Sequence, residues 1–214
     1  MWLTAALSAV GLAATGTTSA SAQDTKAAAV GVVERLFGPD RYGTSAAISK
    51  DTFATGHTNA YIATGQNFPD ALSAGPAASV NAGPVLLVTK NAIPTAIRDE
   101  LTRLQPSNIV VLGGTGVVSG AVEDALGGYT TGTVRRTMGG DRYETSARIS
   151  AATFGQGVPV AYVATGANFP DALAAGPGGA PILLVAQNSV PQVIRNELNR
   201  LMPASIVVLG GPAV

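Results

Sequence analysis

The segment AYIATGQNFPDALSAGP at 60–76 returns as AYVATGANFPDALAAGP at 161–177, identical at 14 of 17 positions. Only Ile62/Val163, Gln66/Ala167 and Ser73/Ala174 differ. Two further blocks repeat in the same order. GPDRYGTSAAIS at 38–49 matches GGDRYETSARIS at 139–150, and IPTAIRDELTRLQPSNIVVLGG at 93–114 matches VPQVIRNELNRLMPASIVVLGG at 190–211. The offset is 101 residues for the first two blocks (139 − 38) and 97 for the third (190 − 93). The four missing residues lie where GPAASVNAGP shrinks to GPGGAP. A period this long holds several secondary-structure elements, so it marks a duplicated module rather than a solenoid repeat. Whatever fold one copy adopts, the chain must build it twice.

Each copy alternates strand and helix signals. AYIAT and AYVAT are short apolar strands, while PVLLV, PILLV and IVVL are continuous apolar runs, as in strands buried on both faces of a parallel sheet. Tyr42, Ala46, Ser49 and Phe53 recur at helical spacing. So do Ile93, Ile97, Leu101 and Leu104, mirrored by Val190, Ile194, Leu198 and Leu201. Asp141 with Glu144 three residues on forms an acidic capping pattern, which Gly43 interrupts in the first copy. A further helix is expected over 118–126, with Val118, Val122, Ala125 and Leu126 inward, whereas the second copy stops at LGGPAV.

Strands separated by helices imply βαβ crossovers. The expected fold class is therefore α/β: two tandem Rossmann-like modules with parallel sheets flanked by helices, the second truncated at its C-terminus. The division expected is a signal peptide at 1–22, a linker at 23–31, repeat 1 at 32–129 and an incomplete repeat 2 at 130–214. Lacking its last helix, the second copy should leave the 206–209 strand with apolar surface uncovered. Self-association or a missing third repeat is the expected remedy.

With 46% hydrophobic and 12% charged residues, 214 residues suffice for a heavily buried protein and not for a disordered one. Acidic and basic residues balance at 13 each, so no strong field favours nucleic acid. The absence of cysteine excludes disulfides, thiolate metal sites and Cys nucleophiles, and the single His57 excludes a multi-histidine centre. The first 22 residues carry no charge and end in Ala20-Ser21-Ala22, a small-x-small cleavage pattern without the usual basic n-region. The expectation is an exported, secreted protein starting at Gln23, with no membrane span in the mature chain.

In parallel α/β sheets, ligands meet the loops at the carboxyl ends of strands, where the duplicated loop sits. Pro69 and Pro170 suit a first helical turn, placing Asp70 and Asp171 near the positive end of a helix dipole. Those carboxylates either serve only the helix start or, with Asn67 and Asn168, accept hydrogen bonds from a sugar hydroxyl. Under both readings they compete with a phosphate. The 113–116 turn, with Gly113, Gly114 and Gly116, is the nucleotide candidate, but Ser119 stands where a third glycine of the dinucleotide fingerprint belongs. A small-molecule α/β enzyme using this turn is the alternative function. Arg41 and Arg142 either bridge to a nearby carboxylate or face an anionic ligand. No Ser-His-Asp set, phosphate loop or metal-ligand cluster is present, so neither an enzyme nor a cofactor is expected.

Taken in order, DRYGTSAAIS, ATGQNFPDALSAGP, PVLLV and IVVLGGTGVVS resemble the cell wall-binding repeat 2 family over 33–214, in two copies. The resemblance implies an exported protein of a Gram-positive bacterium, built from Rossmann-like repeats that usually come three in tandem with pseudo-threefold symmetry. It implies non-catalytic anchoring on an anionic cell wall polymer or peptidoglycan-associated glycopolymer. The family's polymer-groove strand falls on Pro84, Val85, Leu86 and Leu87, and again on Pro181, Ile182, Leu183 and Leu184. Within these 214 residues two units are expected, and no catalytic domain is expected beside them. Near-zero net charge calls for a local cationic cluster, for which the repeated cations are Arg41, Arg142, Arg98 and Arg195.

Overall fold

The computed structural model describes residues 35–66, 69–167 and 179–211. The elements run α1 (Arg41–Thr52), β1 (Asn59–Thr64), α2 (Pro69–Val80), β2 (Val85–Val88), α3 (Thr95–Leu104), β3 (Asn108–Leu112) and α4 (Gly120–Leu126). A single 3-10 turn at Gly127–Tyr129 leads to β4 (Thr133–Thr137). The second copy supplies α5 (Arg142–Thr153), β5 (Val160–Thr165), β6 (Ile182–Val185), α6 (Gln192–Leu201) and β7 (Ser205–Leu209).

Two parallel sheets result, with strand orders β2-β1-β3-β4 and β6-β5-β7. Strand alternation divides the first sheet's core. Ala60, Ile62, Leu86, Ile109 and Val111 face one side, with Ile97 and Leu101 of α3 and Val122 and Leu126 of α4. Tyr61, Val110 and Leu112 face the other, against Ala74, Ala77 and Ala78 of α2. Val118, Val122 and Leu126 are buried as expected, but Ala125 is exposed. The seven-residue α4 turns it past the seam with the sheet.

The capping positions are duplicated in fact as well as in sequence. Asp40 accepts from the Gly43 N–H at 2.8 Å, and Asp141 from the Glu144 N–H at 2.8 Å. Gly43 therefore keeps the first half of the capping arrangement and loses only the returning acid. Glu144 supplies that return by accepting from the Gly140 N–H at 2.7 Å.

Two features tie the copies together. First, β4 belongs by sequence to the run into the second copy, yet it pairs with β3 of the first sheet, in the register Thr133↔Asn108 to Thr137↔Leu112. Second, Ile149 of α5, 3% exposed, sits in the alanine-rich core of the first copy. In return, Leu72 of α2 packs with Ala164, Ile182 and Leu184 of the second sheet. The far edge of β7 carries no fourth strand among the described residues. As expected, Ile206, Val207 and Val208 are uncovered, at 51%, 40% and 72% exposure.

Candidate functional site

The principal cleft opens at the carboxyl ends of β1 and β3, where the first copy meets the turn between β4 and α5. It encloses about 580 Å³ and is walled by Gln66, Asp70, Gly114, Gly140, Arg142 and Gly166, among others. A second depression of about 510 Å³ shares its Gly139 and Gly140 wall and reaches Arg136 and Arg148. Both copies contribute to this seam. A single copy could not form it.

Asp70 lies at the first turn of α2 and is 9% exposed. Burial pushes its carboxyl above the ordinary carboxylate range, and the positive charge of Arg142 partly offsets this. The carboxylate rests against the Gly113 backbone so closely that a Cβ there would lie 2.3 Å from Asp70 Oδ2. Gly113 also has φ +88°, so the turn needs glycine on two counts. A carboxylate in that position faces the 113–116 turn with the wrong charge for a phosphate. Within the turn, Gly113 N–H donates to Thr137 O at 2.9 Å, and Gly114 O accepts from Val117 and Val118 N–H.

Arg41 and Arg142 do the same job in each copy. Each guanidinium donates to the carbonyl of the glycine ending the strand loop, Gly65 and Gly166 respectively. A Cβ on Gly65 would come within 2.6 Å of the Tyr42 ring, and one on Gly166 within 2.7 Å of the Tyr143 ring. The repeated DRY triplet thus pins helix to loop, and Arg142 does so from inside the cleft. Arg136 donates from Nη1 to Gly113 O at 2.7 Å and lies 2.8 Å from Glu123 Oε2. Arg148 pairs with Glu144 at 2.7 Å, which helps hold that exposed carboxyl below its usual range after the Gly140 N–H.

The strand candidates are placed differently. Leu86, Leu183 and Leu184 are at most 1% exposed and Ile182 only 2%, so these side chains are core. Pro84, Val85 and Leu87 line a narrow groove of about 180 Å³ with Ile48 and Phe53 of α1. Pro181 is buried as the residue leading into β6. Asn67, Asn168 and Asp171 lie outside the described residues. Arg98 and Arg195 stay on their own helices, donating to Ile93 O and Thr95 Oγ1 and to Val190 O and Gln192 Oε1. Sequence reasoning missed Arg136, Arg148 and the Gly139-Gly140 wall. Arg148 has Ala47 at its equivalent position, so a search for duplicated residues passes over it, and Arg136 and Arg35 fall outside the three repeated blocks. Among the described residues no group of acids and histidines could hold a metal ion, and no helix is long and apolar enough to cross a membrane.

The model of the cell wall binding domain 2 matches at 35–123 and again at 136–214. The chain belongs to this family. The first matched stretch holds β1 to β3 and the second holds β5 to β7, and the family is one of cell wall binding domains. The chain is 30% identical over 183 residues to the N-acetylmuramoyl-L-alanine amidase LytC of Bacillus subtilis, covering 84% of this chain and 36% of that protein. It is 30% identical over 185 residues to the amidase enhancer of the same organism, covering 85% of this chain and 24% of the relative. It therefore spans about a quarter to a third of these curated relatives. Among solved structures it resembles Cwp6 from Clostridium difficile, with TM-score 0.71 and 32% identity over 81% of this chain and 28% of the other. Cwp8 from the same organism gives 0.73 and 28%, over 82% of this chain and 30% of the other.

Proposed function

We propose that this chain is an exported, non-catalytic wall-binding unit that holds an anionic wall polymer or a peptidoglycan-associated glycopolymer along the seam between its repeats. The observation that carries the reading is the family match over both units, since each contributes a wall to the cleft. The cleft and its neighbouring depression form a path rather than a closed pocket, which suits a chain-like ligand. Arg142, Arg136 and Arg148 are the cations along that path. Arg136 and Arg148 are paired to Glu123 and Glu144, and Asp70 and Asp141 stand beside Arg142, so the path offers alternating charges to a polymer. Asp70 provides a hydroxyl acceptor beside them. The 84–87 and 181–184 strands act in this reading mainly as scaffold, with Val85 and Leu87 the half-buried members that reach the groove.

The test is cosedimentation with purified Gram-positive cell walls, before and after the anionic polymers are stripped. The chain should pellet with intact walls and largely remain in the supernatant with stripped ones. Arg142→Gln should weaken pelleting several-fold. Equal pelleting on both wall preparations would remove the anionic polymer from the proposal while leaving wall binding in place.

A further inference from the structure

The segments that lead into β3 and β4 run side by side at the amino-terminal end of the first sheet, where Thr130 Oγ1 donates to Ser107 O at 2.8 Å. Between them and the last turn of α3 is a pocket of about 380 Å³. That volume falls in the range of small-ligand clefts. Leu101, Thr102, Gln105, Tyr129, Thr130 and Thr131 line it, and no charged side chain does. The seam cleft opens at the carboxyl ends of the strands, so the two sites share no residue.

The lining is rich in hydrogen-bond acceptors. Thr102 Oγ1 donates its proton to Arg98 O at 2.8 Å, and Thr130 Oγ1 gives its own to Ser107 O. What each oxygen retains toward the pocket is acceptor capacity. The end of α3 adds to this. Pro106 has no N–H to return to the Thr102 carbonyl, and Ser107 N–H goes to His57 O at 2.9 Å rather than back to the helix. The negative pole of the helix therefore lies beside the pocket and disfavours an anion. A cation would find no carboxylate in the wall. Among the described residues, neither the Gln105 amide nor the Tyr129 hydroxyl has a hydrogen-bond partner within the protein. Tyr129 is half-buried and packs against the first core, which fixes its ring. A fixed aromatic ring among acceptors and one amide, with no charge, suits a pyranose. Its C–H groups meet the negative face of the ring, and its hydroxyls donate to the acceptors.

The duplicated framework does not account for this lining. By the 97-residue offset Thr102 corresponds to Asn199 and Gln105 to Met202. Gln105 and Met202 hold the same left-handed cap conformation, at φ +46° and +47°. The backbone therefore accepts a side chain without an amide there, and the amide is a feature of the first copy alone.

We propose that this pocket is a sugar subsite for an uncharged hexose or N-acetylhexosamine, laid on Tyr129 with its hydroxyls on Thr102 and Thr130 and a further bond to the Gln105 amide. It stands independently of the polymer proposal.

The test is a titration of the isotope-labelled 214-residue chain, followed by the amide resonances of each residue in NMR. Glucose and N-acetylglucosamine at tens of millimolar should give saturable shifts at Gly128, Tyr129, Thr131 and the Gln105 side-chain amide. Glucose 6-phosphate should bind more weakly than glucose. Gln105→Met copies the second repeat and should fold and melt like the parent, yet weaken sugar binding roughly ten-fold, the worth of one hydrogen bond. Tyr129→Leu keeps an apolar contact with the core and removes the platform, and should weaken binding by at least as much. Chitotriose and maltotriose, titrated in parallel, distinguish an amino-sugar glycan from a plain glucan as the source. Binding by either supports the subsite. The absence of saturable shifts with any of these neutral sugars overturns the inference. So do shifts confined to Gly114, Gly140 and Gly166 in the seam, glucose 6-phosphate binding as tightly as glucose, or a Gln105→Met variant that binds like the parent.

Discussion

Asp70 is a carboxylate held where burial disfavours its charge, with Arg142 only partly offsetting the penalty. Because its folded-state pKa is raised, the folded chain keeps that proton to higher pH than the unfolded chain does. Its contribution to stability therefore declines as pH rises from the ordinary carboxylate range through the raised folded value. Asp70→Asn keeps the shape and removes the charge. It should raise the melting temperature at pH 7, a gain on the order of 0.5–2 kcal/mol, as is common when a strained site group is relieved. The gain should shrink toward pH 4, and wall pelleting should fall at the same time. A variant that melts lower than the parent at pH 7 would mean that the attraction of Arg142 outweighs desolvation. Gly113→Ala tests the same spot from the other side. It forces a side chain into positive φ and onto the Asp70 carboxylate, and should cost about 2–4 kcal/mol, measured by urea unfolding. Gly116 meets nothing within 4 Å of an added Cβ, so Gly116→Ala should leave stability nearly unchanged.

Between elements, the least expected device is a buried acid that ties α1 to α3. Glu100, 4% exposed, accepts from Ser49 Oγ at 2.6 Å and from Arg103 Nη2 at 2.7 Å. Arg103 Nη2 also donates to Phe53 O at 2.8 Å, at the end of α1. Ser150, Glu197, Arg200 and Phe154 O repeat the arrangement in the second copy. Arg103→Ala leaves Glu100 buried with one partner and should cost about 3 kcal/mol, whereas Arg98→Ala on the exposed face should stay within about 0.5 kcal/mol. A comparison of their denaturation midpoints decides whether the acid is a latch or an incidental ion pair. The latch was legible in principle, because Ser49 and Ser150, Glu100 and Glu197, and Arg103 and Arg200 all fall at repeated positions. Helical spacing identified Ser49 as inward, but a charged residue in a helix reads as solvated until its partner is seen. The apolar strands were readable because both faces are buried and their runs are continuous. β4 was not, since TVRRT is polar at nearly every position, as an edge strand tends to be. Only the pairing with β3 reveals it. The cleft was half legible for a related reason. Its duplicated members, Asp70 and Arg142, stand out in the repeat, whereas Gly139, Gly140, Arg136 and Arg148 meet them only because β4 crosses between the copies.

At the scale of the molecule, the two repeats share a core, and this changes where one ends and the next begins. Repetition of the motifs invites a cut near 130. The described structure instead gives the first sheet its fourth strand from 133–137 and its clasp from Arg136. A fragment of residues 35–129 would lose the β4 ladder, leave Gly113 N–H without Thr137 O, and leave Glu123 without Arg136. Each net hydrogen bond is worth about 0.5–1.5 kcal/mol, so a ladder of this length contributes several kcal/mol, a large share of a small domain's stability. A fragment of residues 35–140 restores those contacts while still lacking the whole of the second sheet. It should therefore fold cooperatively and melt well above the shorter fragment. The full chain should melt higher again in a single transition, because Ile149 and Leu72 bury the two copies against each other. Differential scanning calorimetry of the three chains provides the comparison. Equal melting temperatures for 35–129 and 35–140 would show that β4 is a passenger on the first sheet. Two resolved transitions in the full chain would show that the shared core does not couple the repeats, and a polymer site built across their seam would then lose its rigid frame.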